Sequence, residues 1–389
     1  MNTNYKKISI ILLMNFLLAI STTIGMTIIP ILVTDSLGLS LLILGLIEGT
    51  SEFISNVLRL TNGILFDKTK NKKRIFLYPT SLACLSKAML LLPTAWSILL
   101  AKIVERISNG AFASPRDAYV AENATNKGFA LSLISFSKSL GCVLGPLIVS
   151  IYTFFFGNLN NHINLFVFLC CSTCLLAMIF SAFIRSSFVE NTKFSFHEVK
   201  AIFKNISPII LLGSLFFMGR FNDGLVILYL KHNSFPEWFY LSAIAIFNFT
   251  MLLASPFIGA QIDYGNAKKM LILTIGALVL FNICFYQINL SPWPLAITGL
   301  IAWGIQRTGA QIVFSTLVFK AISRTAYGTG IGLFYITSGF STMLSSFTCG
   351  YLANTNFATV FLFSGTFAFI ALVIAWAMMS QNKLAYQAG

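Results

Sequence analysis

The sequence predicts an all-α integral membrane protein, with twelve transmembrane helices arranged as two six-helix bundles. Three observations carry that reading. Of the 389 residues 57% are hydrophobic and only 10% are charged, whereas a soluble domain carries about a quarter charged residues. The chain divides into twelve apolar stretches, each near the roughly 20 residues that a helix needs to cross the hydrocarbon layer. The basic residues collect in alternate loops. Runs of about ten residues with alternating polarity, the mark of a membrane β-barrel, do not occur.

In order, the expected spans are Ile8 to Val33, Leu41 to Phe66, Ile75 to Leu92, Trp96 to Val120, Phe129 to Phe156 and Ile163 to Ile184. They continue with Ile209 to Leu230, Trp238 to Ile262, Met270 to Ile288, Leu295 to Ala321, Tyr327 to Leu352 and Phe357 to Met379. The first follows Lys6 and Lys7 as a secretory signal does, but it is too long and ends in no small-residue cleavage site, so it is read as a retained span. Trp96, Trp238 and Trp293 stand near span ends, as interfacial anchors do. Placing the N-terminus inside puts seventeen lysines and arginines, from Lys6 to Lys383, on the cytoplasmic side and only Lys231 opposite. That is the bias the positive-inside rule demands, with both termini cytoplasmic and the chain in the cell inner (cytoplasmic) membrane. The net charge of +14 is then a set of loop anchors facing an anionic leaflet, and no nucleic-acid partner is expected.

The longest polar interruption, Arg185 to Lys204, follows the sixth span. It sets the expected domains as 1–184 and 207–389, with residues 185–206 a cytoplasmic linker. Each half carries a related phrase after its second span: Gly63-Ile64-Leu65-Phe66-Asp67-Lys68, and Gly259-Ala260-Gln261-Ile262-Asp263. Gly259 and Asp263 each lie 196 residues after their counterparts, which indicates two parallel six-helix repeats.

On these residues the chain resembles the major facilitator superfamily over nearly its whole length. The loop phrase is similar to that family's GxxxD(R/K)xGRR signature, with Lys70 where the second glycine belongs. The resemblance implies a gating loop at Gly63, Asp67 and Lys68, with Gly259 and Asp263 as the second copy. The phrase Gly45-Leu46-Ile47-Glu48-Gly49, with Glu52, Glu105-Arg106, Gly110 and Ser114-Pro115-Arg116-Asp117-Ala118, resembles a bacterial subgroup. Its fourth helix reads roughly ERxGKGIRxxPRDAL; here Asn109 replaces the lysine and Phe112 the arginine. Gly141, Gly145 and Pro146 resemble the GxxxGP motif of antiporters and exporters in the fifth helix. The resemblance implies a monomeric secondary transporter of a small solute that works by rocking-bundle alternating access, coupled to protons and directed to efflux.

Ionisable groups at membrane depth are costly and generally line a cavity or pair with one another. Glu48, Glu52 and Arg59 fall within about 40° of one helical stripe. Glu105 with Arg116, and Arg106 with Asp117, are each about 20° apart but about 16 Å along the helix, so each needs partners on other helices or in water. Glu48, Glu52 and Asp223 are the proton-coupling candidates. Arg59, Glu105, Arg106, Arg116, Asp117, Lys138 and Arg307 are candidates for the cavity or for its charge network. A static ion-pair lattice that fixes helix packing is the alternative for the charges of the first half. Asp223 follows Arg220 at i+3, the spacing of a local pair. Lys138 stands where the subgroup tends to be acidic, and Lys87 fits a lysine snorkelling to the membrane face. Gln306 and Gln311 add donors near Arg307.

Seven cysteines fall in apolar runs without zinc-type spacing and read as free thiols. None of the three histidines lies mid-span, so no metal site or cofactor is expected. Without GxxxxGK(S/T), an ATP-driven pump would need another subunit. A membrane enzyme would need a clustered nucleophile and base, which the sequence does not offer, so the chain is expected not to be an enzyme. Arg106, Lys138 and Arg307 favour a second reading, an importer of an anionic metabolite or siderophore-like chelate. Paired charges in asymmetric positions suit a gated cavity better than a channel's conductive ring.

Overall fold

The computed structural model describes residues 5–68, 72–92, 94–123, 127–157, 159–184, 196–322 and 327–380, some of them by backbone alone. Thirteen α-helices account for most of these: α1 (Tyr5–Ile31), α2 (Leu41–Lys68), α3 (Lys72–Met89), α4 (Ala95–Asn123), α5 (Lys127–Phe156), α6 (Ile163–Ser181), α7 (Phe196–Met218), α8 (Asp223–His232), α9 (Glu237–Asp263), α10 (Ala267–Tyr286), α11 (Pro292–Lys320), α12 (Tyr327–Thr355) and α13 (Phe357–Ser380). The described residues contain no strand. Every expected span meets a helix. Among the described residues, eight stretches are long and apolar enough to cross a membrane by length and composition, with α7 and α8 forming one of them. The charged residues of α3 and α4 keep those helices below that criterion.

The seventh span differs from expectation, because it is two helices separated at Gly219–Asn222. The cause is a close approach by α13. A Cβ on Gly219 would lie 2.9 Å from the Ser364 carbonyl oxygen and 3.1 Å from the Ala368 nitrogen. The Ser364 hydroxyl donates to the Gly219 carbonyl, so that carbonyl leaves the helical ladder. Phe221, within the break, is held by the rings of Phe281, Trp303 and Phe361 at 5.4–6.1 Å between centroids. The start of α7 at Phe196 also carries helix into the stretch read as linker.

Tight ends join the helices. Gly157 (φ +63°) and Gly265 (φ +85°) adopt left-handed backbone just past α5 and α9, where their amides donate to Thr153 and Ile262 carbonyls. Asn354 accepts from the free amide of Leu41 at the start of α2, at 3.0 Å.

The chain forms two compact units. The first holds Met1–Ser40, Thr50–Lys193 and Asp223–Asn248, and the second Leu41–Gly49, Phe194–Asn222 and Phe249–Gly389. In the first, α1 is central and packs on α5 and α6. Ile11, Met14 and Leu18 of α1 meet Phe76 of α3, Phe112 and Tyr119 of α4, and Cys174 of α6 in one buried cluster. The Phe76 ring stands edge-on to Phe112 and Tyr119, at 5.9 and 5.5 Å. In the second unit Phe216 and Phe217 of α7 pack on Phe314 of α11, which stacks with Phe334 of α12 at 5.5 Å. The start of α2 joins this unit through glycines: a Cβ on Gly45 would strike the Ser346 carbonyl and reach 3.2 Å from the Gly350 Cα.

Candidate functional site

The interior of the first unit carries charge on three helices. Glu105 of α4 is 3% exposed and Lys87 of α3 is 1% exposed; the Lys87 ammonium donates directly to Glu105 Oε1. Lys102, one turn before Glu105, places its ammonium 3.8 Å from Oε2. Gly25 of α1 admits the Lys87 head, since a Cβ there would lie 2.9 Å from Nζ. The snorkelling expected of Lys87 is therefore corrected: an interior carboxylate holds it away from the membrane face.

The next residue, Arg106, is turned to another neighbour and places Nη1 3.1 Å from Glu52 Oε2 on α2. The Glu52 side chain is 38% exposed, against 13% for Arg106. Consecutive residues of α4 thus bind α3 and α2, as their 100° separation on a helix allows. Glu48, one turn before Glu52, is buried.

Further along α4, Arg116 takes one partner from the adjacent position and one from another helix. Its Nε donates to Asp117 Oδ1 at 2.8 Å, and Nη1 donates to Asn15 Oδ1 of α1 at 2.7 Å. The Asn15 amide donates in turn to the Ile134 carbonyl of α5 at 2.9 Å. One buried asparagine therefore ties three helices. The guanidinium also lies 5.9 Å from the Phe112 ring centroid.

The GxxxGP segment forms the seam between α5 and α1. A Cβ on Gly141 would lie 2.6 Å from the Phe16 carbonyl oxygen and 2.8 Å from Ala19 Cβ. On Gly145 it would lie 2.9 Å from the Ile20 carbonyl oxygen and collide with the Thr23 hydroxyl. Glycine is required at both positions because the two backbones touch. Pro146 follows inside α5.

At the far end of α1, Asp35 is paired with Lys231 of α8. Glu237, in the first turn of α9, accepts from the Leu159 amide at 3.2 Å, and the Ser150 hydroxyl of α5 donates to the Trp238 carbonyl at 2.6 Å.

The remaining candidates are dispersed. Asp223 is buried and opens α8 beyond the break. The Arg220 guanidinium lies 5.8 Å from the Phe217 ring centroid. Lys138 on α5 is exposed and Arg307 on α11 is half-buried. Gly259 has nothing within 4 Å of a built Cβ, and Asp263, which closes α9, is exposed. The side chains of Arg59, Gly63, Asp67 and Lys68 lie outside the described residues. Lys102 and Asn15 were not singled out from sequence. Lys102 carried a signal, a charge inside an apolar run at i−3 from Glu105; Asn15 carried none beyond a polar side chain in a span. All seven cysteines are free, and no group of metal-ligating side chains occurs among the described residues.

Comparison with known proteins agrees with this architecture. An uncharacterised MFS-type transporter of Methanocaldococcus jannaschii is 25% identical over 396 aligned residues, which cover 92% of this chain and 91% of the relative. The crystal structure of the nucleoside transporter NupG superposes with a TM-score of 0.76 over all of both chains at 17% identity. A POT family transporter in complex with a thioalcohol-conjugated peptide superposes with a TM-score of 0.80, over 98% of this chain and 97% of that one, at 12% identity. The family model of the Major Facilitator Superfamily matches residues 11–231. The chain therefore belongs to the Major Facilitator Superfamily and is a multi-pass membrane transporter of that family.

Proposed function

We propose that this protein is a proton-coupled secondary transporter that exports a small solute across the cytoplasmic membrane by rocking two six-helix halves, residues 1–184 and 207–389. The Arg106–Glu52 pair carries the reading. A carboxylate that is 38% exposed at membrane depth needs a wet path, because an ionised group facing hydrocarbon is too costly to keep. Its arginine is permanently charged and can release the carboxylate to a proton as the helices move. Glu48, one turn away and buried, is the second candidate for that proton, and Asp223 the third. The tight α5–α1 seam at Gly141 and Gly145 supports the antiporter-like motif, and with it the outward direction.

The test is a pH-sensitive dye inside proteoliposomes, with nucleosides and short peptides among the solutes screened. Native protein is compared with Glu48→Gln and Glu52→Gln. The expected result is a solute-evoked pH change that one variant abolishes while solute exchange persists. Solute movement with no proton signal in native protein would refute coupling, and the sign of the pH change decides direction.

A further inference from the structure

The two neighbours of α4 grip it unequally. On one face Glu105 binds Lys87 of α3, and Ser108, 1% exposed, donates to the Pro79 carbonyl of α3 at 2.6 Å. Phe112 and Tyr119 continue that face against the Phe76 ring. At 100° per residue these four positions lie within about 60° of one another. Arg106 and Gly110 stand on the flank turned to α2. Arg106 meets Glu52 there, and a Cβ on Gly110 would lie 2.7 Å from the Ser55 carbonyl oxygen and 3.0 Å from Leu58 Cβ.

The ion pairs on these two faces differ in what they can enforce. The side chains of Lys87 and Glu105 are 2% and 4% exposed, so their attraction is little screened, and loss of either partner strands a charge in a dry interior. Lys102, 3.8 Å from the other carboxylate oxygen, belongs to α4 itself and adds no tie to α3. Glu52 is 38% exposed, and a pair screened by water is too weak to dictate how a helix is rotated. The buried pair therefore sets the rotation of α4, and Arg106 follows. A turn of α4 by about 20° carries a side-chain end about 5–6 Å from the axis through about 2 Å, enough to part a contact of 3.1 Å.

We infer that Lys87 and Glu105 are positioning residues for the Arg106–Glu52 pair: by fastening α4 to α3 they keep the guanidinium on the carboxylate and set the pH at which Glu52 takes up a proton. The other charged groups along these faces are Lys102 of α4 and Glu48 of α2. Between Glu48 and Glu52, Gly49 meets the uncharged Met343 and Ser346 of α12. The link to transport rests on the reading of Glu52 as a proton carrier; the positioning itself does not.

Dicyclohexylcarbodiimide, which attaches to protonated carboxyl groups in apolar surroundings, reports on Glu52 without any solute. The purified full chain is labelled across a pH series, and modification of Glu52 is followed by peptide mass spectrometry. Native protein is compared with Arg106→Gln, with Lys87→Met and with the reversed pair Lys87→Glu plus Glu105→Lys. Arg106→Gln should move the labelling midpoint by about 0.1–0.7 pH units, the span of a screened pair. Lys87→Met should move it in the same direction, and the reversed pair should bring it back towards native. In the Arg106→Gln background, Lys87→Met should add nothing, whereas a general loosening of the fold would still act. Ser108→Ala frees the same face without stranding a charge; it should shift the midpoint the same way by less, and it serves if Lys87→Met fails to fold. A midpoint left in place by Ser108→Ala and by every folded Lys87 variant, or moved equally with and without Arg106→Gln, would overturn the inference. A shifted labelling profile with no solute-evoked proton signal in proteoliposomes would uphold the positioning role and remove the coupling reading alone.

Discussion

Replacing Gly145 by alanine tests whether α1 and α5 meet backbone to backbone. Two effects oppose each other. Alanine is favoured over glycine within a helix by about 0.8–1.0 kcal/mol. The added methyl, however, sits 2.9 Å from the Ile20 carbonyl oxygen and 3.3 Å from the Ile24 nitrogen, and on the Thr23 hydroxyl. Two of those three contacts are backbone and cannot swing aside, so α1 must retreat, and overpacking of this kind costs about 1–3 kcal/mol. The net expectation is a loss of up to about 2 kcal/mol. Gly276 on α10 is the matched control, since nothing lies within 4 Å of its built Cβ. Gly276→Ala should be neutral or stabilise by up to about 1 kcal/mol. The assay is thermal unfolding of the purified proteins in one detergent, followed by tryptophan fluorescence. If Gly145→Ala melts at or above the wild-type temperature, the close seam and the reason given for that glycine are wrong.

Other consequences can be checked the same way. Asn15→Leu removes the acceptor of Arg116 and the donor to Ile134, and should cost about 1–3 kcal/mol; Asn15→Asp, which keeps the acceptor, should lose less in the same melting assay. A double-mutant cycle with Arg106→Gln and Glu52→Gln should give a coupling of only about 0.2–1 kcal/mol, because Glu52 is 38% exposed and solvent screens the pair; several kcal/mol would mean a dry pair and exclude the wet path. Lys231→Glu and Asp35→Lys should each lower the melting temperature while the double reversal restores it, with all differences shrinking near about 1 M salt.

The spans were legible because lipid imposes one simple requirement, about 20 apolar residues in a row, and all twelve stretches met helices. The break in the seventh was not, because its cause is Ser364, 145 residues further along the chain. Glu105, Arg106 and Arg116 could be named from sequence as interior charges that need partners beyond their own stripe, but Lys102 was not, nor was the interior place of Lys87, nor which partner each charge takes. Glu105 is held by Lys87 from α3, and Arg116 by Asn15 of α1 and by its own neighbour Asp117. Such pairings depend on how helices rotate and approach, and a periodicity within one helix carries no such information. The glycines of α5 lie between these cases. GxxxG announces a close approach somewhere, and only the fold names α1 as the helix that makes it.

The hydroxyls of α1 bear on how the chain is made. This helix precedes α5 and α6 in the chain and so leaves the ribosome before they exist to receive it. Thr23 donates to the Ala19 carbonyl at 2.8 Å and Thr27 to the Thr23 carbonyl at 2.9 Å; just past the helix, Thr34 donates to the Pro30 carbonyl at 3.0 Å. These hydroxyls are satisfied locally and expose no unmet donor to lipid, whereas Ser21 and Asn15 find their acceptors only on α6 and α5. The threonine face of α1 can therefore wait in the bilayer during synthesis, and Thr23 lies where Gly145 of α5 later arrives.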